Sequence, residues 1–129
     1  MEAPVVGPYA GGVELDKMSI EDKKRRAHNA LVTRVLEGDG RASRAQRRAA
    51  FDNSVLGEPL HSLISKVAKQ PTQITDEDIA AVKGSGFSED EIFEIVVCAA
   101  IGQATRQYES ALGALTEAMT DAKSTDHAP

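Results

Sequence analysis

Residues 88–119, SEDEIFEIVVCAAIGQATRQYESALGALTEAM, hold the longest sustained helical period in the chain, and the fold is read outward from them. The start is a capping box: the Ser88 hydroxyl can accept from the amide of Glu91 while the Glu91 carboxylate accepts from the amide of Ser88. Glu89, Asp90 and Glu91 also sit in the electropositive first turn. Apolar residues then recur at Phe93, Val97, Ala100, Ile101, Ala104, Tyr108, Ala111, Leu112, Leu115 and Met119, a three-and-four spacing that lines one face of a helix. Ile92, Ile95, Val96 and Ala99 cover a second side, so the first half is expected to be buried on more than one face. The second half keeps a polar side of Arg106, Gln107, Glu109 and Ser110.

The remaining segments read as shorter helices that need such a rod to pack against. Ser19 opens a helix ending at Gly38 to Gly40; Ser43 and Gln46 form a capping box ahead of a short helix anchored by Phe51. Leu60, Leu63, Ile64, Val67 and Ala68 make an amphipathic helix that begins at Pro59 and stops before Pro71, because proline disfavours helical geometry in the residue before it. Thr75 caps the next helix, Ile79 and Val82 point inward, and Gly84 ends it. Nothing reads as a strand. The expected fold class is all-α, about five helices packed around a long C-terminal one. Residues 1–18 read as a flexible N-terminal arm, 19–121 as a single all-α domain and 122–129 as a disordered tail.

A chain of 129 residues supports one modest core. Its single cysteine, Cys98, rules out an internal disulfide and a cysteine zinc cage. No apolar run nears the roughly 20 residues needed to cross a bilayer, and no secretory h-region precedes the body, so a cytoplasmic protein without a membrane partner is expected. The net charge of -5 hides an asymmetry: Lys17 to Arg48 holds ten bases and four acids, whereas Ser54 to Pro129 holds five bases and twelve acids. Attraction between the two halves, within a subunit or across an oligomer interface, is the first reading. Glu21, Asp22 and Glu37 relieve the basic face and argue against nucleic acid as partner.

The stretch from Gly84 to Leu115, GSGFSEDEIFEIVVCAAIGQATRQYESALGAL, resembles the C-terminal part of the alkylhydroperoxidase D-like and carboxymuconolactone decarboxylase superfamily. The match lies in Gly86, Glu91, Ile92, Phe93 and Glu94, followed by Ala99, Ala100 and Ile101. The resemblance implies that family's helical fold and its habit of self-association. It also implies where a thiol pair would stand: counting back from Gly86, a Cys-x-x-Cys pair falls near Pro71 and Ile74 and the following His near Asp78. None of these positions holds Cys or His. Peroxide reduction needs a nucleophilic thiolate and a resolving thiol, so the chain looks like a member without the family's redox machinery, and thiol peroxidase activity is not expected.

Cys98, in the most apolar part of the rod, reads as packing. Glu94 is the carboxylate to watch. It lies in that same apolar section, where burial demands a partner: a salt bridge to the basic helices, or a cavity in which it acts as acid, base or ligand. His61 is its candidate partner in catalysis; His28, beside the basic run, is a weaker one. Three histidines without a fixed spacing make no metal site, and no cofactor is expected. Gly102 and Gly113, each costing about 1 kcal/mol against Ala inside a helix, suggest close approach by another helix. The expectation is therefore a non-catalytic or divergent helical protein working as an oligomeric scaffold or accessory subunit, as a homo-oligomer or with a partner protein. The alternatives are a small-molecule enzyme of the same fold using Glu94 and His61 for proton transfer, and a nucleic-acid-binding module using the basic helices.

Overall fold

A computed structural model describes residues 19–126, with side chains as far as 121. The arm read over 1–18 and the last three residues of the chain lie outside the described residues. Five α-helices and one 3-10 turn make up the described chain: α1 (Ile20–Glu37), α2 (Arg44–Phe51), α3 (Leu60–Lys69), the turn Pro71–Gln73, α4 (Asp76–Gly84) and α5 (Glu89–Asp126). Among the described residues there is no strand, and no helix is long and apolar enough to cross a membrane.

The chain divides into two compact units, Met1–Arg34 and Val35–Pro129. The described part of the first is most of α1. Ser19 caps it, its hydroxyl accepting from the Asp22 amide at 3.0 Å, and Ile20 and Leu31 are exposed.

In the second unit the local signals in the sequence are realised. Ser43 caps α2 with Gln46 reaching back, Thr75 caps α4 with Asp78 reaching back, and Ser88 and Glu91 form the reciprocal pair ahead of α5 at 2.9 and 3.1 Å. Gly86, at φ +112°, makes the turn between α4 and α5, a conformation that glycine adopts without a Cβ penalty. All five apolar residues of α3 are buried, and it ends before Pro71 as expected. Pro59 stands one position ahead of the first helical residue, and the Glu58 carboxylate accepts from the Ser62 amide and hydroxyl to close that first turn.

The core lies where α2 and α3 cross the first half of α5. Leu63, Ile64, Val82, Ile95 and Cys98 are the largest side chains fully enclosed. On α5 the buried residues are Ile92, Ile95, Cys98, Ala99 and Gly102, and none of residues 103–121 is buried. This corrects the reading of the long helix. The side it buries fully is the second, shorter one; on the ten-residue apolar stripe Val97, Ile101, Tyr108 and Leu112 are half-buried, and Phe93 69%, Leu115 57% and Met119 65% are exposed. Helical backbone also continues past Met119 through Asp126, because the stretch Thr120–Asp126 contains neither Gly nor Pro to stop it.

The two α5 glycines part company. A Cβ at Gly102 would lie 1.9 Å from the carbonyl oxygen of Phe51, so the C-terminus of α2 presses directly on the α5 backbone there. A Cβ at Gly113 would meet nothing within 4 Å, so the close approach expected at that position does not occur within the described residues.

Candidate functional site

Glu94 projects from α5 toward the loop that joins α1 to α2. Its Oε1 accepts from the amides of Arg41 at 2.9 Å and Ala42 at 2.8 Å, and its Oε2 accepts from the Arg41 amide at 3.0 Å. These amide hydrogen bonds, Ala42 first and Arg41 next, hold the carboxyl below its ordinary range and keep it ionised at neutral pH. A Cβ at Gly40 would lie 2.7 Å from the same Oε1, so the loop reaches the carboxylate only because Gly40 has no side chain.

Arg47 enters the same loop from α2. It is 5% exposed, and its Nη1 donates to the carbonyls of Gly38 at 2.7 Å and Val35 at 3.2 Å, covering orphan acceptors at the C-terminus of α1. Its Nε is buried without a partner. Cys98 completes the group: the thiol is fully buried and donates to the Val35 carbonyl at 3.4 Å. Burial pushes the thiol above its usual range, against the pull of Arg47, so it is a poor nucleophile at neutral pH.

The burial of Arg47 is the feature that sequence reading passed over. The signal was available. Arg47, Ala50 and Phe51 stand three and four apart, on the side of α2 that turns out to be buried, so the arginine had to follow the phenylalanine inward.

His61 is half-buried on α3, and its Nδ1 accepts from the Leu56 amide at 3.4 Å. Glu94 and His61 are thus tied to different loops, and no hydrogen bond joins them among the described residues. His28 lies on α1, in the other unit. The positions at which the family would place its thiols fall outside any helix interior: Pro71 opens the 3-10 turn and Ile74 follows it. Asp78 caps α4 and pairs with Lys66 at 2.8 Å, a bond that, with the Thr75 amide, holds its carboxyl below the ordinary range. No group of three or more His, Cys, Asp or Glu that could hold a metal ion occurs among the described residues.

Chemically, the Glu94–Arg47–Cys98 group is an anchor. The Glu94 carboxylate ties α5 to the Arg41 and Ala42 amides, and the Arg47 guanidinium ties α2 to the Val35 and Gly38 carbonyls. An apolar cleft lies on the opposite flank of α5, a space of about 250 Å³ lined by Ile79, Glu89, Ile92, Phe93 and Val96. Glu89 is its only charged wall, and that carboxylate also pairs with Lys83 at 3.7 Å. Comparison of the chain with family models, curated proteins and solved structures returns no match.

Proposed function

We propose that this chain is a divergent, non-catalytic helical protein of the alkylhydroperoxidase D-like type that works in the cytoplasm as an oligomeric scaffold or accessory subunit. The observation that carries the reading is the direction of the α5 stripe. The core takes Ile92, Ile95, Cys98, Ala99 and Gly102, while Phe93, Leu115 and Met119 stand exposed on the other side of the helix. An isolated helix needs about 12–15 residues even to be marginal in water, and most helical stability comes from tertiary packing. Past Gly102, α5 has no buried residue among the described ones: Tyr108 and Leu112 are half-buried, and Leu115 and Met119 are exposed. A partner against the exposed end of that face would bury Leu115 and Met119.

The commitment of Glu94 to the loop amides supports the non-catalytic half of the reading, and the residues Gly86, Glu91, Ile92, Phe93 and Glu94 support the family. The test is sedimentation of the full chain. Association is expected at concentrations on the order of 50 µM or below. Leu115→Glu should abolish it while the urea midpoint of a monomeric reference sample is kept, because Leu115 is an exposed side chain. A wild-type chain that stays monomeric throughout would overturn the reading.

A further inference from the structure

Asp39 and Gly40 form the one Asp-Gly step in the sequence, and Asn-Gly does not occur. The step lies between the two grips of the anchor: Arg47 Nη1 donates to the Gly38 carbonyl at 2.7 Å on one side, and Glu94 Oε1 accepts from the Arg41 amide at 2.9 Å on the other. Both residues of the step are exposed. Among the described residues the Asp39 carboxylate has no hydrogen bond or ion pair, and the Gly40 amide donates to no acceptor. A carboxyl without a partner thus stands next to a backbone nitrogen without one, on a residue that has no Cβ to hinder approach. At Asn53 the setting is different. The nitrogen that would have to attack there, the amide of Ser54, donates to the Ala49 carbonyl at 2.9 Å.

We propose that Asp39 and Gly40 close spontaneously to a succinimide, and that its reopening to isoaspartate releases the loop from Glu94. The Gly40 nitrogen attacks the side-chain carbonyl carbon of Asp39 in its protonated form. A C–N bond forms, the amide proton and the carboxyl hydroxyl leave together as water, and a five-membered imide closes. Water then adds to one of the two ring carbonyls. Opening at the side-chain carbonyl restores aspartate; opening at the main-chain carbonyl leaves the backbone running through Cβ as isoaspartate, with the mass of the starting chain. The step consumes one water and returns one, and no oxidant or reductant enters it.

The consequence falls on the anchor. Isoaspartate inserts one carbon into the backbone between Gly38 and Arg41, about 1.5 Å of added bond, while Arg47 and Glu94 hold the two ends. The loop has no room to fold the excess toward α5, because a Cβ at Gly40 would already lie 2.7 Å from Glu94 Oε1. The amides of Arg41 and Ala42 are therefore drawn off the carboxylate. Glycine at position 40 is what lets the loop reach Glu94, and the same missing side chain opens Asp39 to attack, so the anchor and its loss share one residue. The product carries a free α-carboxylate on a β-linked residue. That is the group a protein isoaspartyl carboxyl methyltransferase esterifies, which makes this class of enzyme the partner of the aged chain.

The experiment is incubation of the full chain at 37 °C and neutral pH. The fragment containing residue 39 is followed by peptide mapping, as a second species of equal mass, and by labelled methyl transfer with an isoaspartyl methyltransferase as probe. Isoaspartate is expected at position 39 before any other Asp or Asn. Asp39→Glu, whose longer side chain would have to close a six-membered ring, should cut the signal about tenfold or more while keeping the urea midpoint of fresh wild type, because Asp39 is exposed. The isoaspartate form, separated by chromatography, should unfold at lower urea, and Glu94→Gln should shift its midpoint about half as far or less than it shifts that of fresh protein. No isoaspartate, its first appearance at another residue, or an equal rate in Asp39→Glu overturns the modification site. An isoaspartate form with the midpoint of fresh protein, or with an undiminished Glu94→Gln shift, overturns the release of the anchor.

Discussion

Arg47 and Glu94 grip one loop from chemically opposite sides. The guanidinium takes carbonyls at the end of α1, from Val35 and Gly38, and the carboxylate takes the amides of Arg41 and Ala42 ahead of α2. The turn Gly38 to Ala42 is thereby closed by two charged side chains from different helices, and Ala42 is left 2% exposed. Each charge is matched to the backbone dipole it meets, which accounts for their place beside the core.

Replacing Glu94 with Gln should cost about 1–2 kcal/mol, because an amide offers one acceptor oxygen where the carboxylate offers two, and part of the loss is made up by water at the exposed Arg41 amide. Urea unfolding at pH 7 measures it. The pH dependence has a definite sign. The folded-state pKa lies below the ordinary 4.5, so the contribution is present above pH 4.5 and is lost as pH falls through the folded value. Asp78 shifts the same way, so the midpoint should fall on acidification in both wild type and Glu94→Gln. The gap between wild type and Glu94→Gln should narrow as pH falls through the folded-state value, which lies below 4.5; a gap that narrows only above pH 4.5 would remove Glu94 from the account.

Gly102→Ala and Gly113→Ala should have opposite signs. At position 102 the added methyl meets a backbone carbonyl, which moves only with the end of α2, and a loss of at least about 3 kcal/mol is expected. At position 113 it meets nothing, and the helix should gain up to about 1 kcal/mol from better propensity. Thermal unfolding of the pair decides the matter: equal effects would mean that the contact at Phe51 yields easily.

The Cys98 thiol should react slowly with a neutral disulfide reagent in the native state and at the rate of a free thiol in denaturant. Being fully buried and raised in pKa, it can react only through opening of the core. The native rate should therefore follow stability, falling in stabilised variants and rising in Gly102→Ala. Fast labelling at pH 7 without denaturant would contradict the burial.

Much of the scaffold was legible in the residues. The caps at Ser19, Ser43, Thr75 and Ser88, the stop before Pro71 and the buried set on α3 follow from interactions spanning three or four positions, which a linear reading can see. The anchor around Glu94 was legible only in part. Its need of a partner followed from the apolar surroundings, but the partner is a pair of amides more than fifty positions away, and backbone groups leave no mark in composition.

What the sequence determined by itself is therefore the set of helices, their capped N-termini and the presence of two apolar sides on α5, because each depends on local hydrogen bonds and on periodicity. Which side of α5 became core was decided only by the tertiary structure. The longer stripe was the natural choice from periodicity, yet α2 can approach α5 closely only where Gly102 leaves room for the Phe51 carbonyl, and Gly102 lies on the shorter side with Ile95 and Ala99. Steric access of one backbone to another chose the core face, and that choice left Phe93, Leu115 and Met119 of the longer stripe exposed.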